Sequence, residues 1–152
     1  MRLYCGIALF ALAMLVLPTA GQGSTLLVDD VRSGGIIVIG ESTARLTGLE
    51  VPGMDHRLGL VIWDFIRHEI HGQRVRVFTW TTNDLASGIM HDDEGYPFVT
   101  ILYGPNGAKN LNEILLQKGY ARVDEKYLPA DRQHYHDLQN EAQENQVGIW
   151  EK

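Results

Sequence analysis

The sequence predicts a mixed α+β, strand-rich domain: a small five-stranded Greek-key barrel carrying three helices, in the order β-β-β-α-β-β-α-α. Three observations lead there. Short β-branched runs separated by glycine-containing turns occupy residues 25–49. One amphipathic stretch follows them before the strands resume, and two further helical stretches come after the last strand. Five short strands with a helix inserted after the third is the order of an OB-type barrel.

Each element has its own signal. Residues 25–31 form a short apolar run with β-branched members, Gly34-Gly35 provides a turn, and residues 36–39 are a β-branched strand. Gly40-Glu41-Ser42 turns again, and residues 43–49 alternate as a third strand. Leu58, Ile62, Phe65, Ile66 and Ile70 then share one face of a helix predicted over residues 57–71, which Gly72 stops. Val75, Val77 and Phe78 make the fourth strand, interleaved with Arg74, Arg76 and Thr79. A polar segment over 81–95 leads to the fifth strand at 98–103, with Pro97 tolerable only at its start. Asn110 is placed to cap a second helix whose Leu111, Ile114 and Leu115 face inward and which Gly119 ends. A third helix is predicted to start near Pro129, with Tyr135, Leu138 and Ala142 as its inner stripe up to Gly148.

Residues 1–21 read differently from the rest. Met1-Arg2 is a positive start, residues 3–17 carry no charged side chain, and Pro18-Thr19-Ala20-Gly21 breaks the run with small residues. These are the three regions of a signal peptide. The apolar run falls short of the roughly 20 residues that a membrane-spanning helix needs. The expected organisation is therefore a signal peptide over 1–21 and one domain over 22–152, secreted or periplasmic, with no stable membrane insertion after cleavage. Cys5 sits before the apolar core of this segment, whereas a lipid-modified cysteine would follow it at the cleavage point, so a lipoprotein is not expected. Its removal with the signal leaves the mature chain without a thiol or disulfide. The formal charge is −6, and removal of Arg2 makes it −7. Proteins built to hold polyanions usually carry a basic surface that displaces counterions, so this balance weighs against a nucleic-acid partner.

Four stretches, in order, carry a family resemblance. They are Val31-Arg32-Ser33-Gly34-Gly35-Ile36, then Arg45-Leu46-Thr47-Gly48-Leu49-Glu50-Val51-Pro52, then Leu111-Asn112-Glu113 with Gly119-Tyr120-Ala121-Arg122-Val123, and finally Glu141-Ala142 with Gly148-Ile149-Trp150. Together the chain resembles the staphylococcal nuclease (thermonuclease-like) family. The resemblance implies calcium-dependent cleavage of nucleic-acid phosphodiesters. Two aspartates hold the metal, a glutamate is the general base, and two arginines stabilise the phosphate. Calcium requires carboxylate oxygens, the attacking water must lose a proton, and the transition state gathers negative charge.

Most of those roles have lost their side chains here. The first metal aspartate falls on Gly35 and the second on Glu50, which keeps a carboxylate and is the metal ligand only if any metal site survives. The general base falls on Gly53. The first arginine is retained as Arg45, and the second falls on Tyr96 within Asp92-Asp93-Glu94-Gly95-Tyr96. Loss of a general base alone costs roughly 100- to 10,000-fold in rate. Arg45 and Glu50 are the remnants of the catalytic set, and Arg45 with Tyr96 is the candidate ligand-contacting pair. A structural reading has Arg45 pairing with Glu50 or capping carbonyls at a strand end. The resemblance also implies that restoring Gly35→Asp, Gly53→Glu and Tyr96→Arg raises cleavage.

Other constellations carry less. His91-Asp92-Asp93-Glu94 places an imidazole and three carboxylates in one loop, either as a cation site or as a solvated acidic turn. His68 and His71 are three apart, not the four of a zinc helix motif. His134 and His136 are two apart on a helix, so their rings diverge. Trp80, Tyr96, Tyr103 and Tyr127 either offer stacking surfaces or finish the core, and Trp150 pins the tail.

The expected function is an exported, non-catalytic binding or interaction module that uses an OB-type groove, with no cofactor. The alternatives are an altered phosphodiesterase requiring Ca2+, and an accessory factor that binds saccharide in envelope or exopolysaccharide assembly. Nucleic acid, saccharide and an envelope protein all stand as candidate partners.

Overall fold

The computed structural model describes residues 24–79, 89–127 and 132–152. The predicted signal peptide, Trp80 and the start of the third helix at Pro129 lie outside these residues. The elements run β1 (Ser24–Leu27), β2 (Asp30–Arg32), β3 (Ile36–Ile39), β4 (Ser42–Leu46), β5 (Leu49–Glu50) and α1 (Gly59–Ile70). They continue with β6 (Arg74–Thr79), β7 (Phe98–Tyr103), β8 (Lys109–Asn110), α2 (Leu111–Gln117), β9 (Arg122–Val123) and α3 (Arg132–Glu144). The mixed α+β class, with a strand-rich sheet and three helices, is as the sequence predicts.

The hydrogen-bonded order is β1-β6-β7-β4-β3-β2. Its two ends are consecutive pieces of one strand, separated only by Val28 and Asp29. Val28 N–H donates to the Gln73 carbonyl at 3.0 Å, on the β6 side, and Asp29 N–H donates to the Val38 carbonyl at 2.9 Å, on the β3 side. The first strand therefore changes partner at this step, and the sheet path returns to where it began. β4 and β7 pair in parallel, Arg45 opposite Phe98 and Leu46 opposite Val99; the other strand pairs are antiparallel.

The third strand and the first helix have other bounds than expected. The third strand stops at Leu46 instead of continuing to residue 49. The chain turns at Thr47-Gly48, where Gly48 has φ +69°. Leu49–Glu50 then forms a separate two-residue pair with Arg122–Val123. The helix predicted over 57–71 begins two residues later and ends one earlier.

Alternation and helical period place the core. Val31, Ile37, Ala44, Leu46, Val75, Val77, Val99 and Ile101 are buried in the barrel, and Ile62, Ile66 and Ile70 of α1 pack against it. Leu58 and Phe65 are partly buried at the edge of that contact. The Trp63 indole N–H donates to the Val31 carbonyl at 2.7 Å, and Arg67 reaches Asp30 at 3.0 Å, so α1 is pinned to β2. In α2 the Asn110 side chain accepts the Asn112 N–H at 3.1 Å, as the capping expectation required. Tyr135, Leu138 and Ala142 form the buried stripe of α3. No helix among the described residues is long and apolar enough to cross a membrane.

Candidate functional site

Arg45 sits near the end of β4, where its N–H donates to the Pro97 carbonyl at 2.9 Å. The parallel β4–β7 pairing brings it under the loop 92–96. Its Nε lies 2.8 Å from Asp92 Oδ2, and its Nη2 lies 3.3 Å from Glu94 Oε2. The first of these is a charge contact without straight hydrogen-bond geometry. The Asp92 carboxylate is only 5 % exposed. Its other oxygen accepts the N–H groups of Glu94 and Tyr96 at 2.9 and 2.8 Å. Asp92 thus closes its own turn with one oxygen and holds Arg45 with the other. The structural pairing expected for Arg45 is real, but the partners are Asp92 and Glu94, not Glu50. Sequence reading missed Asp92 because the contact spans the whole helix α1 and strand β6.

Tyr96 shares this end of the barrel with Arg45. It contributes its backbone to the turn, donating to Asp92 Oδ1 and accepting the Asp92 N–H at 2.9 Å. Asp93 points elsewhere. Lys126 Nζ contacts both of its oxygens at 2.8 and 2.9 Å, and the Tyr127 hydroxyl donates to it at 3.1 Å. Those hydrogen bonds, Lys126 first, hold the Asp93 carboxyl below the usual carboxylate range. Asp92 and Glu94 therefore meet on Arg45 while Asp93 is held by Lys126, so the three carboxylates of this loop do not converge together on one point. No grouping of three or more His, Cys, Asp or Glu suited to a metal occurs among the described residues.

Two of the aromatic candidates, Tyr103 and Tyr127, finish the structure. Tyr103 is 3 % exposed and its hydroxyl donates to Glu69. Tyr127 packs on Phe98 with ring centroids 4.5 Å apart. His134 and His136 face different carboxylates, Glu113 and Glu125, each at 3.5 Å, which is the divergence their spacing implies.

Glu50 lies in a different cleft of about 220 Å3, opposite Arg122 across the β5–β9 pair. Asp55 and His56 line it too, and the sequence reading passed over both. Their signal was position: two ionisable residues directly after the Val51-Pro52-Gly53 stretch. Asp55 Oδ1 lies 2.9 Å from where a Cβ on Gly53 would stand. His56 Nδ1 accepts the Leu58 N–H at 3.1 Å. Ser33 Oγ accepts the Met54 N–H at 3.0 Å, which ties the 33–35 turn to this loop.

Gly35 is buried in that turn with φ +72°, and a Cβ there would come within 2.6 Å of Val51 Cγ2. An L-residue at this position meets both an unfavourable backbone and a filled space. The Gly35→Asp restoration that the resemblance implies is therefore blocked by Val51. The Gly53→Glu change displaces only the Asp55 carboxylate, the end of a flexible side chain.

A family model described as staphylococcal nuclease homologue matches residues 47–152. That span contains Glu50, Gly53 and Tyr96; Gly35 and Arg45 precede it. No curated protein matches the chain.

Proposed function

The chain belongs to the staphylococcal nuclease homologues, and from that premise we propose that it is an exported member of the family that has set catalysis aside and works as a binding module. The observation that carries this reading is the engagement of Arg45 by Asp92 and Glu94. A guanidinium facing two carboxylates gives a local field that repels phosphate instead of gathering it. The blocked position at Gly35 supports the same reading, since calcium sites normally gather six to eight oxygens and Glu50 supplies at most two.

A second reading has its own observation. Glu50, Asp55, His56 and Arg122 line one cleft, and a carboxylate or imidazole beside Gly53 is the type of group a relocated base requires. On that reading the protein is an altered phosphodiesterase.

One assay separates the two. Purified protein incubated with single-stranded DNA and calcium should leave the substrate intact, at the level of a protein-free control. Efficient degradation that a chelator abolishes sinks the non-catalytic reading. Export has a separate check, since intact-mass measurement of the protein from its native envelope fraction should place the N-terminus at or near Gly21. Retention of Met1 would replace export with a membrane-tethered domain.

A further inference from the structure

A second polar cleft, of about 420 Å3, lies against β1, β6 and β7 and shares no lining residue with the one at Glu50. Arg74 and Arg76 of β6 line it, and both are exposed while Val75 and Val77 between and beyond them are buried. The two guanidinium groups therefore leave the same outer face of the strand, from backbone positions about 6.6 Å apart at ~3.3 Å per residue. Thr25 stands directly across from Arg76 in the β1–β6 register and lines the cleft as well.

The two arginines are held differently. Arg76 donates through Nη2 to the Asn106 carbonyl, and the turn carrying Gly107 covers it so closely that a Cβ on Gly107 would collide with the guanidinium. It is fixed in place, with no carboxylate partner among the described residues. Arg74 makes no side-chain hydrogen bond or ion pair among the described residues. The carboxylate beside this region, Glu69, is already engaged by the Tyr103 hydroxyl and by Lys109 Nζ at 3.3 Å. Those bonds, Tyr103 first, keep its carboxyl below the ordinary range. In a chain of formal charge −6, two adjacent guanidinium groups with no carboxylate partner among the described residues form a cationic island. Like charges side by side repel each other, and that repulsion is relieved when an anion binds between them.

We propose that this cleft binds a phosphate-class oxyanion, with Arg76 as the preset donor, Arg74 as the free fork that closes on the ligand, and Thr25 contributing its hydroxyl at the rim. Arginine matches a planar or tetrahedral oxyanion with paired N–H donors, which a lysine does not. The assignment is independent of how Arg45 and Glu50 are read.

The test is titration of purified protein with inorganic pyrophosphate, by calorimetry in a phosphate-free buffer of low ionic strength. A parallel arm measures co-sedimentation with vesicles containing phosphatidic acid against vesicles of neutral lipid, which distinguishes a free ligand from a lipid headgroup. Saturable binding is expected, weakened about tenfold or more by Arg74→Gln and by Arg76→Gln. The Arg132→Gln variant removes the same charge from the exposed start of α3 and should bind as the parent does. Because the Arg74 side chain is exposed and makes no hydrogen bond or ion pair among the described residues, Arg74→Gln keeps the test decisive even if Arg76→Gln melts early. Failure to bind either pyrophosphate or acidic vesicles overturns the proposal. So does an equal loss in Arg74→Gln and Arg132→Gln, which would mark the effect as net charge alone.

Discussion

Replacing Asp92 by alanine should lower the free energy of unfolding by about 3–5 kcal/mol, a large effect for one loop residue. The carboxylate is almost fully covered, at 5 % exposure, and serves three groups at once: Arg45 Nε and the N–H groups of Glu94 and Tyr96. Its removal leaves a partly buried guanidinium without its nearer counter-ion and two turn donors without an acceptor. Glu94 cannot replace it, because its carboxylate is 64 % exposed and meets Arg45 only at 3.3 Å. Asp92→Asn keeps an acceptor oxygen in the same place and should recover the backbone part of the loss while leaving the charge part. Urea unfolding of both variants checks the division. A cost below about 1 kcal/mol for Asp92→Ala would mean that water reaches Arg45 readily, and the claim that this arginine is committed to the fold would fall with it.

The same loop explains what reading the chain from residue types makes visible. Periodicity identifies elements because burial imposes it locally. Ile62, Ile66 and Ile70 mark one face of α1, and Val75 with Val77 marks the inner face of β6, without knowledge of what they meet. Partner choice is another matter. The first strand has an unremarkable β-branched run, yet Val28 bonds toward Gln73 and Asp29 toward Val38, a switch of neighbours that depends on both flanking strands being in place. Leu49 and Glu50 continue an alternating pattern, and only the distant Arg122–Val123 segment makes them a separate pair.

At the site, the losses at Gly35 and Gly53 are visible as missing side chains, because a glycine offers no ligand in any fold. The fate of the retained charges is not visible in that way. Arg45 and Glu50 are five residues apart and look like a natural pair, but Arg45 finds Asp92 while Glu50 faces Arg122. Strand direction decides this. The parallel β4–β7 register carries Pro97 and the loop before it to the Arg45 end, whereas the turn at Gly48 sends Glu50 to the other cleft.

Asn112→Ala should be comparably damaging, at about 3–5 kcal/mol, since it strips several buried hydrogen bonds at once. Asn112 is fully buried. Its Nδ2 donates to the Thr47 carbonyl at 3.0 Å and the Val99 carbonyl at 3.4 Å, while its Oδ1 accepts the Ile101 N–H at 3.3 Å. Thr47 lies just past the end of β4, whereas Val99 and Ile101 stand within β7, so the side chain continues the link between these two strands beyond the Thr47 N–H to Val99 carbonyl bond at 2.9 Å. An alanine offers no hydrogen-bonding group in exchange. The comparison that gives the measurement force is Asn110→Ala, two residues earlier. That change removes a helix cap and a contact to Glu113 at 2.8 Å, both near solvent, and should cost about 1 kcal/mol. If denaturant unfolding gives the two variants the same cost, Asn112 is not the stitch described. If Asn112→Ala is several-fold worse, then this residue of the Leu-Asn-Glu stretch persists because it holds the barrel together. Residues that the fold needs then explain the family resemblance in a chain whose inherited site is largely gone.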